Sequence, residues 1–351
     1  MAIFGRFSDK LMELVIWASF IAFILGLLAI DLGVFHKNPQ QISYKEAFYW
    51  TAVWVGLALL FGGAVYYIYD TNWLDINKRG LSGSAAMLNF YTGFLIEKSL
   101  SLDNIFVIAL IFTYFKIAPR YQHEVLFWGI IGAMVFRGIM IVVGTAVLEA
   151  FHWTTYLFGA LLIYSAIRML SVDEEETDFS KNPLLRLVTK LYPIDWQYEG
   201  PKFFIQKEGV KTATVMFVTL VIVEFTDVFF AIDSIPAIFA VTTDPFLVFT
   251  SNVFAILGLR TLYFFLVNFM DRFSFIKYSL VFILGFVGIK LMLANHYQFP
   301  TLVSLGIIVS MLIAGMIASV IANRQTAGQV PTPLPEKVFS REEEEEEKER
   351  V

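Results

Sequence analysis

No cysteine occurs in the 351 residues, which excludes disulfides, iron–sulfur clusters, thiolate zinc sites and a cysteine nucleophile together. Any metal site must be built from other ligands. Histidine is scarce as well: the four are His36, His123, His152 and His296, all near the ends of apolar runs or in loops. They read as ordinary interfacial side chains, and a zinc or copper site of imidazoles deep in a bilayer is disfavoured. Charge is thin and uneven. Of 57 charged residues, 14 lie in 171–212 and 13 in 324–351, leaving 30 for the other 281 positions. The net charge of −5 comes largely from Glu342–Glu347, a tail that reads as solvated, and no basic footprint for nucleic acid exists.

What is abundant is apolar surface: 57% of residues are hydrophobic and 17% aromatic, against about 45–50% apolar in soluble domains. Runs of roughly 20 apolar residues, each long enough for a ~30 Å hydrocarbon core, make the expected fold an all-α polytopic membrane bundle. Nine spans are expected, at 11–34, 47–69, 85–115, 125–148, 153–170, 213–241, 246–267, 275–294 and 302–322. The first, preceded by Arg6 and Lys10, is too long an apolar run for a signal peptide and lacks a small-residue cleavage site. An odd number of spans puts the termini on opposite sides. With the N-terminus outside, the cytoplasmic segments hold sixteen basic residues (Lys37, Lys45, Lys116, Arg120, six in 181–211, Arg272 and five in the tail). The external segments hold Arg6, Lys10, Lys78 and Arg79, so N-out, C-in is expected.

The segment 171–212 is charged yet carries apolar residues, and reads as a cytoplasmic connector with structure of its own, where a cytoplasmic partner would engage. It divides the chain into two halves that match. Glu97-Lys-Ser-Leu-Ser-Leu-Asp103-Asn104-Ile105 and Asp227-Val-Phe-Phe-Ala-Ile-Asp233-Ser234-Ile235 share an acid, five spacers, an Asp, a small polar residue and Ile. Arg137 and Arg260 punctuate the fourth and seventh spans, and Ile167-Arg168-Met169-Leu170 resembles Ile289-Lys290-Leu291-Met292. The expected layout is 1–84 for two N-terminal helices, 85–170 for one three-helix repeat, 171–212 for the connector, 213–295 for the second repeat, inverted in topology, 296–323 for the last helix and 324–351 for a disordered acidic tail. Inverted repeats place a site at their interface.

Five acids lie at bilayer depth in the two matching spans: Glu97, Asp103, Glu224, Asp227 and Asp233. Each costs about 2.5 kcal/mol or more unless paired or solvated, so each needs a reason. Glu97 stacks with Asn104 on one helix face, as Asp227 does with Ser234, while Asp103 and Asp233 lie about 100° further round. A straight helix does not converge them. Pro236 cannot donate to the carbonyl of Ile232, so an unwound stretch with a free carbonyl is expected there. Carboxylates with Asn104, Ser99, Ser101, Ser234 and backbone carbonyls form an all-oxygen ligand set suited to Mn²⁺, Mg²⁺ or Ca²⁺. The plainer reading is internal salt bridging by Lys98, Arg137, Arg260 and Lys290, with the arginines as structural counter-charges and Lys290 snorkelling. That reading leaves the repeated spacing without a cause. The glycines of Gly129-Ile-Ile-Gly132 and Gly285-Phe-Val-Gly288 read as close-packing positions, and Trp50, Trp73 and Trp153 as interfacial anchors.

At the two acidic motifs, with Arg260 and Gly288-Ile-Lys290, the sequence resembles the TerC family of integral membrane proteins over roughly 45–320, in length and architecture its Alx type. The second motif reads Glu224-Phe-Thr-Asp227-Val-Phe-Phe-Ala-Ile-Asp233-Ser234-Ile235-Pro236-Ala237. The resemblance implies a bacterial cytoplasmic-membrane protein of metal homeostasis, linked to manganese export and, in the older name, to tellurium resistance. It carries the family's acids onto Glu97, Asp103, Glu224, Asp227 and Asp233. The expected function is then a transporter exporting Mn²⁺, with protons as the counter-ion, no permanently bound cofactor and no enzymatic activity. Two rivals stay open. One is an intramembrane aspartyl protease, which the flanks Ser101-Leu102-Asp103 and Ala231-Ile232-Asp233 do not fit because they lack Gly-x-Gly-Asp. The other is a metal-sensing or assembly factor without transport.

Overall fold

The computed structural model describes residues 2–35, 44–151, 153–171, 183–198, 200–207, 209–267, 275–294, 296–297 and 299–326. The charged run 172–182, Lys37, His36, His152, Arg272 and the tail with Glu342–Glu347 lie outside the described residues. Helices stand at every expected span. They are α1 (Ala2–Phe35), α2 (Tyr44–Asp70), α3 (Gly83–Tyr114), α4 (Pro119–Ala150), α5 (Thr154–Ser171), α6 (Pro183–Leu191), α7 (Val215–Phe239), α8 (Pro245–Ile256), α9 (Leu259–Leu266), α10 (Ile276–Leu293) and α11 (Thr301–Thr326).

The class is that of an all-α polytopic membrane protein. Among the described residues four helices, α2, α4, α7 and α11, are long and apolar enough to cross a bilayer alone, and the bent pair α8–α9 adds a fifth if it is counted as one span. Of the expected nine, length and composition single out four, or five with the bent pair. α3 has the length, at 32 residues, but carries Glu97, Lys98 and Asp103, and α1 and α5 offer the shorter apolar stretches Leu14–Ile30 and Thr154–Leu170.

α4 shows how the sequence sorts its faces. Leu126, Ile130, Ala133, Arg137 and Ile141 recur at helical spacing and are buried, while Val135, Ile139, Val142 and Val143 on the opposite face are each more than half exposed. An apolar face left open on a long apolar helix is a lipid face. α8 is the opposite case, with every residue from Phe246 to Ile256 buried except Phe249. Asp244 starts it, its Oδ1 accepting from the backbone N–H of Phe246 and Leu247 and from the hydroxyl of Tyr69 on α2.

The helix break falls elsewhere than at Pro236. α7 runs through Pro236 and ends three residues later at Phe239. The break lies between α8 and α9, which meet at 41° across Leu257–Gly258. Gly258 has φ +77°, and a Cβ there would lie 2.7 Å from the ring of Trp54. Only glycine satisfies both constraints. Lys98 donates from Nζ to the carbonyl of Ala255 at 3.1 Å, placing a cation on the carbonyl end of α8.

α3 packs on α7 and α8, α4 on the same two, α5 on α10 and α7, and α10 touches α3. α5 and α10 meet at Gly159 and Gly288, where a Cβ on Gly288 would lie 2.9 Å from the Gly159 carbonyl oxygen. Gly288 thus packs closely as the sequence suggested, while Gly285 has nothing within 4 Å of its Cβ position.

Between α5 and α7 the connector folds into α6 and a three-stranded sheet in the order β1-β3-β2, with β1 Ile194–Asp195, β2 Phe204–Lys207 and β3 Val210–Thr214. β1 runs parallel to β3 and β2 antiparallel, with Phe204 opposite Ala213. Lys207 bonds Asp195 at 2.8 Å and holds its carboxyl below the ordinary range. β3 runs straight into α7, and Thr214 donates from Oγ1 to the Lys202 carbonyl at 2.7 Å.

The Gly159–Gly288 contact makes a paired test. Gly288→Ala should lower stability by about 1–3 kcal/mol through overpacking. Gly285→Ala should be neutral or slightly stabilising, since it gains helix propensity with nothing to clash against. Thermal unfolding in detergent separates the two, and equal effects would contradict the packing described.

Candidate functional site

Arg137 is 2% exposed and Glu97 1%, so both side chains lie wholly inside the bundle. Arg137 comes from the inward stripe of α4 and meets three other helices. Its Nε and Nη2 donate to Asp227 Oδ2 and Oδ1 on α7, at 3.0 and 2.8 Å, as a bidentate fork. Its Nη1 donates to Glu97 Oε1 on α3 and, at 3.1 Å, to Asn252 Oδ1 on α8. Asn252 closes the ring by donating from Nδ2 to Glu97 Oε2 at 3.3 Å. Asn104, one helix face below Glu97, reaches Asp227 Oδ1 at 3.4 Å. Glu97 and Asp227, the matching first acids of the two motifs, are therefore brought together on one guanidinium.

The other candidates are distributed around this group. Asp233 accepts from Ser165 on α5 at 2.7 Å. Glu224 projects from α7 over Gly132 of α4, where any Cβ would overlap its carboxyl, so Gly132 makes room for an acid and not for a helix. Asp103 is half-buried on α3. Ser99 and Ser101 turn back on their own helix, donating to the carbonyls of Leu95 and Lys98. Arg260, just past the break, is 1% exposed, and Lys290 on α10 is 7% exposed, so Lys290 is buried in place of snorkelling.

Of the expected counter-charges, Arg137 bonds both Glu97 and Asp227, and Lys98 serves a backbone carbonyl. Three oxygen-bearing groups are left over: Asn104 Oδ1, Glu224 Oε2 and Ser234 Oγ are buried without a hydrogen-bond partner. Buried acceptors in that state are costly and call for an occupant such as water or an ion. Among the described residues no three Asp, Glu or His side chains gather closely enough to hold a metal, and the guanidinium lies between Glu97 and Asp227. Two participants escaped the sequence reading, Asn252 and Ser165. Asn252 had a signal, being the amide in the polar run Thr250-Ser251-Asn252 of an otherwise apolar helix.

Elsewhere, a cavity of about 640 Å³ opens between α1, the turn at 74–79 and the start of α8. Arg79 beside it pairs with Glu149 at 2.9 Å and donates to Thr243. None of the five candidate acids lines it.

A helical membrane bundle with acids of two similar motifs converging on a buried arginine is the class of protein defined so far. Residues 82–327 match the family described as "Integral membrane protein TerC family", and the chain belongs to that family. "Uncharacterized membrane protein STKORF319" of Myxococcus xanthus is 45% identical over 309 residues, 88% of this chain and 93% of its own length. "Putative membrane-bound redox modulator Alx" of Salmonella typhi is 40% identical over 312 residues, 88% of this chain and 95% of its own. The protein of the same name in Escherichia coli (strain K12) is 40% identical over 310 residues, with the same coverage. No solved structure matches the chain.

Removing the guanidinium should be severe. Arg137→Met should cost about 3–5 kcal/mol by leaving Glu97 and Asp227 uncompensated in the interior. Adding Glu97→Gln and Asp227→Asn to that variant should recover much of the loss, because the buried charges go with their partner. Thermal unfolding of the single and triple variants measures this, and a triple variant no more stable than the single would contradict the ion-pair account.

Proposed function

We propose that the protein is a secondary transporter that carries a divalent cation, Mn²⁺, out of the cytoplasm, and that it is not an enzyme. One observation carries the reading. Glu97, Asp227 and Arg137 together sum to −1 when both carboxylates are ionised, at a depth where one unbalanced charge is expensive. One further positive charge completes the group, and it can arrive as a proton or as a metal ion. The unpartnered oxygens of Asn104, Glu224 and Ser234 supply neutral or acidic donors of the type that hard cations take.

In this reading Asp103 and Asp233 are the core ligands, and Glu97, Glu224 and Asp227 act as ligands or proton carriers. Arg137 is the resident counter-ion of the unloaded form. A dication can take carboxylates only by displacing a proton or the guanidinium, so loading and release of that positive charge are coupled. Rocking of α3–α5 against α7–α10, treated as inverted repeats in a bacterial cytoplasmic membrane with the N-terminus outside, would expose the group to each side in turn. The name "redox modulator" carried by relatives fits indirectly at most. A chain without cysteine has no thiol of its own to exchange, and cation content would be its route to a redox effect.

A second reading has an observation in its favour. Residues 183–214 fold into a helix and a sheet where a plain loop would have sufficed, which suits a partner-engaging sensor.

Mn²⁺ flux into liposomes containing purified protein, with and without a pH gradient, decides between them. Asp103→Asn and Asp233→Asn should each reduce flux by more than about tenfold with insertion intact. Near-normal flux in either variant removes that residue as a ligand. Binding of Mn²⁺ without flux in the wild type would move the reading to the sensor.

A further inference from the structure

A second cavity, of about 660 Å³, lies between the α3–α4 turn, α6, the sheet and the start of α7. Among the described residues its lining contains two cations, Lys116 and Arg120, and no acidic residue. Neither cation is paired with a carboxylate among the described residues, and Arg120 stacks over the ring of Tyr121 at 4.7 Å. Around the cations stand hydrogen-bond donors, the hydroxyls of Tyr114, Tyr121 and Tyr198 and the indole of Trp196, and the inner wall is apolar, with Phe115, Ile117, Leu185, Val215 and Met216. The chemistry is that of a site for an amphiphilic phosphate: positive and donor-rich at one side, apolar at the other.

Lys116 sharpens this. It ends α3 at φ +51°, with its N–H bonded to Thr113 and the next N–H, of Ile117, bonded back to Phe112 at 2.9 Å. A helix that ends this way favours glycine or asparagine, so a lysine here accepts a conformational cost that either of those would reduce. What the position gains in return is a charge facing the cavity.

The location points to the source of the phosphate. The cavity sits at the ends of α3 and α4 and the start of α7, at the level where a spanning helix leaves the hydrocarbon. Tyr114, Tyr192 and Trp196 around it are between 37% and 50% exposed, as aromatic side chains are in the headgroup layer. Leu191, at the end of α6, is 64% exposed with Lys190 beside it, the arrangement of a helix lying on a membrane surface. Residues 183–216 carry five basic against three acidic residues. We propose that this cavity binds the phosphate headgroup of an anionic phospholipid from the leaflet on the connector's side, with Lys116 and Arg120 on the phosphate and its neighbouring charge.

The test is native mass spectrometry of the full-length protein, equilibrated in detergent with equal amounts of phosphatidylglycerol and phosphatidylcholine of the same acyl chains. The wild type should retain phosphatidylglycerol preferentially. Lys116→Asn, which suits the left-handed backbone, and Arg120→Gln, at an exposed position, should each lower that retention about fivefold with the unfolding midpoint unchanged. Lys116→Arg should preserve retention. Equal retention of the two lipids by the wild type, or the same preference in both charge-removing variants, would overturn the proposal. Displacement of bound phosphatidylglycerol by millimolar inorganic phosphate would overturn the lipid source and assign the cavity to a soluble phosphate.

Discussion

The bundle is organised around one guanidinium that has no access to water. A buried arginine is tolerated only when its donors find acceptors, and four of the five N–H groups of Arg137 do so in the bonds to Asp227, Glu97 and Asn252. Those acceptors come from three separate helices. The requirement therefore fixes α3, α4, α7 and α8 relative to one another more tightly than apolar packing could, because in a bilayer the lipid tails are as apolar as the side chains that face them. Asn252 completes the arrangement by bonding both the cation and one of its anions. A lysine could not substitute, since a point charge cannot serve the fork on Asp227 and Glu97 at the same time.

The break in the seventh expected span follows from a different local conflict. α8 is buried on all sides, so its terminal carbonyls would be orphaned if the chain left helical geometry without compensation. Lys98 reaches across from α3 to the Ala255 carbonyl, and Gly258 adopts a conformation that other residues reach only with strain, close under Trp54. α9 then leaves at 41° and carries Arg260 into the interior two residues later. Pro236 in α7 does less. Its missing N–H frees one carbonyl, but the ring is accommodated and the helix continues through it.

Much of this was legible in the sequence. The apolar runs marked where helices stand, because transfer into lipid depends on composition and length alone. The two acidic motifs and Arg137 were legible because charge in such runs is rare enough to need a cause. Less could be read where the outcome depends on which helices touch. Ser165 is unremarkable in the sequence and Asn252 stands out only as a polar residue, and they become partners of Asp233 and Glu97 only through the packing of α5 on α7 and of α8 on α3. Gly132 looked like a packing residue and instead leaves space for the carboxyl of Glu224 from another helix. The connector's sheet was hidden for a further reason: its strands are two, four and five residues long, too short for an alternating pattern to stand out.

The two motifs are alike in sequence and unlike in surroundings, and charge arithmetic gives a reason. Glu97 and Asp227 occupy the same motif position, and both lie on Arg137 of the first half, while the corresponding Arg260 of the second half sits beyond the break on α9. One guanidinium and two ionised carboxylates sum to −1, and the next cation is Lys98, adjacent to Glu97 in the chain. A group that were purely structural would be better built with one acid and one base, or with an amide in place of one carboxylate, at no excess charge. Keeping both acids has a cost in stability that a fixed scaffold does not need. In the transport reading proposed above, the missing charge would favour the arrival of a cation, and the arginine would keep that attraction reversible.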